Sequence, residues 1–269
     1  MPLLPFPRRK SGITSTPSRS LRGPDGGGSD FWRFMGVSIK EDVSCYASEA
    51  QRKVLSAITG LRLIAENFFI TGGTTLSVFY LHHRVSEDID FFSIGFRELN
   101  LVDPILKRIF QRDLSLIQSS PEFYSYLIRG VKVDFVFDSL STADERPLVN
   151  LKAGGKVFVD TLANMASNKL AALASRSEAK DLIDFYYIGR LVWTDSREKS
   201  FLGCYESARR KEALFDDPAT AAYQIEMLYE RILQQRQEAL PPMKRPIDWS
   251  SLQQDFRYYI DTLYGMAKW

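Results

Sequence analysis

Cysteine and histidine are scarce: Cys45, Cys204, His82 and His83 are the whole supply in 269 residues. The two cysteines lie far apart without metal-ligand spacing, so neither a disulfide framework nor a conventional structural zinc site is expected. No run approaches the roughly eighteen apolar residues that a bilayer span needs. The opening MPLLPFPRRK is short and carries its charges after its apolar part, the wrong order for a signal peptide. A soluble, cytoplasmic chain with no membrane partner is the expectation. The formal net charge of +2 is small for this length and does not by itself demand a nucleic-acid partner. Two local clusters, Arg209-Arg210-Lys211 and Lys244-Arg245, could meet phosphates or serve as solvated helix faces.

What is present suits a folded globular protein, with 45% hydrophobic and 13% aromatic residues. Residues 1–40 begin with a Pro-, Ser-, Gly- and Arg-rich stretch ending in GPDGGGSD, and predict a disordered arm. From Glu41 a helical pattern runs through EDVSCYASEAQRKVLSAITGLRLIA, with Val54, Leu55, Ile58, Leu61 and Ile64 spaced to face a core. The period then changes. NFFIT reads as a buried strand, GGT as a turn, TTLSVFYLHH as a short helix and IDFFSI as a strand. FRELNLVDPILKRIFQR is the next helix, with Pro104 near its start. LSLIQSS, FYSYLI and VKVDFVFD follow as strands, the last two joined by a hairpin at Arg129-Gly130. KVFVD adds a short strand at the edge, and Gly154-Gly155 before it is a turn. No internal repeat is visible. After Thr161 the pattern is helical, with elements at TLANMASNKLAALASR, EAKDLIDFYYIGRLVW and around 200–213, 217–238 and 248–265. An α/β domain over 41–160 and a helical domain over 161–269 are predicted, hence an α+β fold.

The chemistry concentrates in TGGTTLSVFYLHHRVSEDIDFF, residues 71–92. A diglycine after a buried strand permits backbone angles closed to other residues and lets a ligand approach the main chain. The helix starting near Thr74 or Thr75 then offers unpaired N–H groups and a positive dipole end, suited to a phosphate. On a strand, Asp88 and Asp90 share a face while Ile89 and Phe91 point inward. Two parallel carboxylates repel unless a cation lies between them, and Mg²⁺ or Mn²⁺ would meet that need. A solvated turn is the alternative for each motif alone. In GVKVDFVFD, Asp134 sits in an apolar run that reads as a central strand, where an unpaired carboxylate is costly. Beside IDFFSI it would complete an acidic triad, able to bind metal and to take a proton from an attacking hydroxyl; a salt-bridged aspartate is the alternative. Asp138 shares its face but lies nearer the strand end. In the helical half Lys169 emerges from the stripe of Leu162 and Met165, so that only its tip needs a charge, nucleotide phosphate or Asp181. Asp181 and Asp184 also share a face, and Lys180 stands at helical pair spacing from Asp184. One of the two aspartates could instead orient Lys169 or Arg176.

These motifs resemble the polymerase β-like nucleotidyltransferase superfamily, and GGTTL…HHRVSEDIDFF together with NKLAALASRSEAKDLIDFYYI is similar to its AbiEii/AbiGii toxin branch. The resemblance spans residues 68–190. It implies a nucleotidyltransferase-like mixed β-sheet flanked by helices, followed by a C-terminal helical bundle. It further implies that Gly72, Gly73 and Thr74 contact nucleotide phosphates, and Arg84 and Ser86 between the motifs join them as nucleotide-binding candidates. Asp88 and Asp90 would hold Mg²⁺ (or Mn²⁺), with Asp134 at the superfamily's third acidic position. Lys169 would reach the triphosphate, and Asp181 would belong to the active site. Lys180 stands where the branch usually has arginine, which keeps the charge but loses the bidentate fork.

The implied activity is transfer of a nucleoside monophosphate from a nucleoside triphosphate to a hydroxyl, as the toxin of a toxin–antitoxin or phage-defence pair. tRNA is the implied acceptor and a cognate antitoxin the implied partner. A protein or a small molecule such as an aminoglycoside could replace tRNA. A non-catalytic nucleotide-binding protein and a structural interaction domain are the readings from other classes.

Overall fold

The computed structural model describes residues 38–267 other than 177, 194, 195, 236, 237 and 239. Most of the arm predicted over 1–40 lies outside the described residues. The helical pattern after Glu41 breaks into pieces. A 3₁₀ turn at Val43–Cys45 precedes α1 (Glu49–Thr59) and α2 (Arg62–Asn67). Ser48 caps α1 by accepting from the Gln51 N–H, and Gly60 closes it with backbone bonds to Ser56 and Ile58. Val54, Leu55, Ile58 and Ile64 are buried as their spacing requires.

β1 (Phe69–Thr71) leads directly into α3, an α-helical turn at Gly72–Thr75 that continues as a π-helix at Leu76–Leu81. The diglycine therefore forms the first turn of the helix, not a turn before it. β2 (Ile89–Ser93), α4 (Val102–Phe110), β3 (Leu114–Ser120), β4 (Phe123–Ile128) and β5 (Val131–Phe137) follow. Arg129 and Gly130 both have positive φ, as a two-residue hairpin requires. β6 (Leu148–Asn150) and β7 (Lys156–Val159) complete one seven-stranded sheet in the order β3-β4-β5-β2-β1-β7-β6. β7, expected at the edge, lies inside, because Leu148–Asn150 pairs antiparallel on its outer side and β1 pairs parallel on the other.

Centrally, β2 runs antiparallel to β1 and parallel to β5, so the strand after the glycine helix lies beside the strand that carries Asp134. Phe91 and Phe135 stack across that pair with centroids 5.1 Å apart. The chain then becomes helical: α5 (Leu162–Ser175), α6 (Ala179–Val192), α7 (Arg197–Arg209), α8 (Pro218–Gln235) and α9 (Trp249–Met266). Phe185, Trp193, Phe201, Phe256 and Tyr259 interlock as an aromatic knot among these helices. Buried apolar residues of sheet and helices form one continuous core from Cys45 to Leu263. No helix among the described residues is long and apolar enough to cross a membrane.

Candidate active site

The diglycine is required by what packs against it. Gly72 has φ +75°, and a Cβ there would lie 2.2 Å from Asp90 Oδ2. A Cβ at Gly73 would lie 2.3 Å from Arg84 Nη2 and 3.1 Å from Ser86 Oγ. Only glycine lets the carboxylate and the guanidinium touch the start of α3. Thr74 donates its hydroxyl to the Asp88 carbonyl, and Gln51 Nε2 reaches the same carbonyl at 3.3 Å, so the backbone of Asp88 is held from two sides. Gln51 is buried on α1, and sequence reasoning missed it; one polar residue within an apolar stripe was its only signal. The π-helix ends at His82 in the left-handed conformation, and the chain turns back toward β2.

Along the sheet, Thr71 is opposite Asp90, Asp90 opposite Asp134, and Asp134 opposite Ser125, so these side chains form one row on one face. Ile89 and Phe91 point into the core, as alternation demands, and Asp88 lies just before the strand. Burial, followed by the charges of Asp134 and Asp88, pushes the Asp90 carboxyl up to about 6. Among the described residues neither the Asp88 nor the Asp90 carboxylate has a hydrogen-bond or ion-pair partner. Asp134 differs, because Ser125 Oγ donates to its Oδ1 at 2.6 Å and Lys132 donates to its Oδ2. An all-oxygen donor set, unpaired and mutually repelling, fits a hard divalent cation such as Mg²⁺ or Mn²⁺ at Asp88 and Asp90. The three aspartates do not form a tight triad. Three ligand-type atoms come within 4.8 Å of one another instead at Asp42, Cys45 and His82. Asp138 is taken up in capping the following turn at Leu140 and Ser141.

Behind the glycines lies a buried ion cluster that ties the two halves together. Asp184 on α6 accepts from His83 Nε2 at 2.7 Å, Arg84 Nε at 2.7 Å and Nη2 at 2.8 Å, and Lys169 Nζ at 2.7 Å. Asp181 accepts from Lys169 at 2.7 Å and from Arg176 through two bonds at 2.8 and 2.9 Å. Burial alone would raise the Asp184 carboxyl, but Arg84 and Lys169 hold it well below the usual carboxylate range. Burial would likewise lower Lys169, yet Asp184 and Asp181 keep its ammonium above its ordinary value. Burial pushes His83 down against the pull of Asp184, to which its Nε2 donates at 2.7 Å.

All the predicted residues therefore lie on the elements around α3 and β2. Arg84 and Lys169 are buried and committed to aspartates, whereas Arg176 keeps 54% of its side chain exposed. Lys180 pairs with Glu178 at 2.9 Å and not with Asp184. In the sequence Asp184 shares a face with Asp181, and one of the two is a candidate to orient Lys169 or Arg176; in the structure Asp181 accepts from both Lys169 and Arg176, and Asp184 from Lys169. Ser125 was missed because nothing in the primary pattern brings β4 to Asp134, and Lys132 because an i,i+2 pair meets only on a formed strand. Pro242 and His83 exchange backbone bonds with Val85, Lys244 and Arg245, which holds the exposed Lys244-Arg245 pair against the loop that carries Arg84.

A glycine-opened helix beside unpaired aspartates and buried cations on a mixed sheet suits a metal ion and a phosphorylated substrate, the chemistry of the nucleotidyltransferase class. The family model described as nucleotidyl transferase AbiEii toxin, type IV TA system, matches residues 53–264, and the chain belongs to this family. The protein is therefore a nucleotidyltransferase, and a toxin–antitoxin family implies a nucleoside triphosphate substrate and an antitoxin. An uncharacterised protein of Aquifex aeolicus is 28% identical over 154 residues, 55% of this chain and 69% of that protein. Similar solved structures include JHP933 from Helicobacter pylori, with TM-score 0.49 and 14% identity over 82% of this chain and 94% of that one. MenT4, a nucleotidyltransferase toxin from Mycobacterium tuberculosis, has TM-score 0.49 and 14% identity over 80% of this chain and 82% of that one.

Proposed function

We propose that the protein is a metal-dependent toxin that transfers a nucleoside monophosphate from a nucleoside triphosphate to an RNA hydroxyl, with tRNA the acceptor to test first. The observation that carries this reading is Asp90, unpaired, seated against Gly72 at the start of α3, with Asp134 beside it in register. The acceptor oxygen bonds to the α-phosphorus, the bond to the β-phosphate oxygen breaks, and pyrophosphate leaves. Asp88 and Asp90 would hold Mg²⁺ or Mn²⁺, which when bound neutralises phosphate charge. The N–H groups of Gly72, Gly73 and Thr74, at the positive end of α3, receive phosphate oxygens, with Ser86 beside them. The proton of the attacking hydroxyl passes to Asp134, the carboxylate of the row that the metal does not need.

Lys169 and Asp181 act as a charged unit. Arg84, Lys169 and Arg176 together outweigh Asp181 and Asp184 by one positive charge, which favours the triphosphate. Residues 161–269 thus serve as a helical domain that completes the site of the α/β domain. An RNA acceptor is supported by Lys244 and Arg245, exposed beside the Arg84 loop. These substrates go with a cytoplasmic location and a role in phage defence.

The test is incubation with each α-labelled nucleoside triphosphate, Mg²⁺ and total tRNA, beside an Asp88→Ala/Asp90→Ala variant. Label in RNA that requires both aspartates is expected. Label in protein would redirect the acceptor assignment, and no label from a folded enzyme across several acceptors would refute the reading.

A further inference from the structure

The third carboxylate of the acidic row already has a cation. Lys132 and Asp134 are two apart on β5 and share a face, and the lysine ammonium donates to Asp134 Oδ2 while Ser125 holds Oδ1. The lysine side chain is 43% exposed and that of Asp134 10% exposed, so the ammonium covers the carboxylate from the solvent side. Across the register Asp134 faces Asp90, and Asp88 immediately precedes that strand. Three carboxylates and one ammonium leave two negative charges, the amount that one divalent cation neutralises. Arg84, Lys169 and Arg176 form their ion pairs with Asp181 and Asp184 and none with this row, so Lys132 is the cation bonded directly to it among the described residues. A second divalent ion on Asp134 would have to expel the ammonium from hydrogen-bonding distance or bind against its repulsion.

We propose that Lys132 is a built-in cation of the acidic site, occupying at Asp134 the place of a second metal ion and leaving Asp88 and Asp90 to hold a single divalent ion. This rests on the reading of Asp88 and Asp90 as the metal-holding pair. Lys132 is a positioning residue: it fixes the Asp134 carboxylate together with Ser125 and keeps it out of metal coordination.

The experiment counts bound Mn²⁺ by electron paramagnetic resonance in titrations of the full chain without nucleotide, with melting temperatures recorded for every variant. The wild type should bind one equivalent, and Asp90→Asn should lose it. Lys132→Gln should gain a second equivalent, Lys132→Arg should stay at one, and Lys132→Gln/Asp134→Asn should return to one. Two equivalents in the wild type, or only one in folded Lys132→Gln, would overturn the proposal while Asp90-dependent binding left the metal reading intact. No Mn²⁺ binding by the folded wild type would instead refute the metal reading, and the Lys132 proposal with it.

Discussion

Asp184→Asn tests whether the buried ion cluster holds the site together. The aspartate is fully buried, and its two oxygens accept four bonds, one from His83, two from Arg84 and one from Lys169. Asparagine keeps the shape, removes the negative charge, and turns an NH₂ group toward N–H donors that then lack an acceptor. Breaking a buried ion pair by removing one partner costs about 3–5 kcal/mol. At about 2–4 °C per kcal/mol for a chain of this size, the melting temperature should fall by roughly 10 °C. Because the cluster holds the folded-state carboxyl well below its ordinary value, its contribution is present above the unfolded value and is lost as pH falls through the folded one. The gap between wild type and variant should therefore be constant from neutral pH down to about 4 and narrow only below it. Scanning fluorimetry across pH reads both quantities. A drop of less than about 3 °C, well short of the cost above, would show that the cluster adds little beyond its own desolvation.

Gly73→Ala should be disproportionately harmful, because Arg84 Nη2 would lie 2.3 Å from the new Cβ and is pinned by Asp184. A loss of about 1–3 kcal/mol in denaturant unfolding, with loss of nucleotide transfer, is expected. Lys211 tests a different buried cation, whose ammonium donates only to neutral groups on Asn164, Ser167 and Asn168. Burial pushes it down to about 8, so between pH 8 and the ordinary lysine value the unfolded chain holds a proton that the folded chain has lost. Wild-type stability measured by urea unfolding should therefore rise relative to Lys211→Met across that range.

Much of the site was legible because its signals are local. Alternation along IDFFSI pointed Asp90 away from Ile89 and Phe91, and the apolar run around Asp134 marked a central strand; both follow from the period of a strand. The reason for the diglycine was not legible. A phosphate-binding role could be argued from residue type, but the contacts that exclude a Cβ come from Asp90 and from Arg84, and depend on β2 folding back antiparallel to β1. The same holds for β7, whose apolar alternation suited an edge until Leu148–Asn150, too short to read as a strand, covered it. Lys132 lay two residues from a candidate aspartate and drew no notice, since an i,i+2 lysine on a strand becomes a partner only once the pleat is formed.

The ion cluster explains why the telling residues fall in two segments about a hundred positions apart. Asp184 on α6 fixes Arg84, and Arg84 fills the space that a Cβ at Gly73 would need. The first turn of α3 is thus shaped by a side chain whose own position is set from the helical half. Lys169 closes the circuit, because its ammonium lies between Asp181 and Asp184 and joins α5 to α6 at the same point. The glycine-opened backbone, the carboxylate row and the charged brace cannot then vary independently. Loosening α6 would release Arg84, move the N–H groups of the glycine turn and change the field at Asp90, so on the proposed function helix packing is coupled to nucleotide binding through Asp184, Arg84 and Lys169.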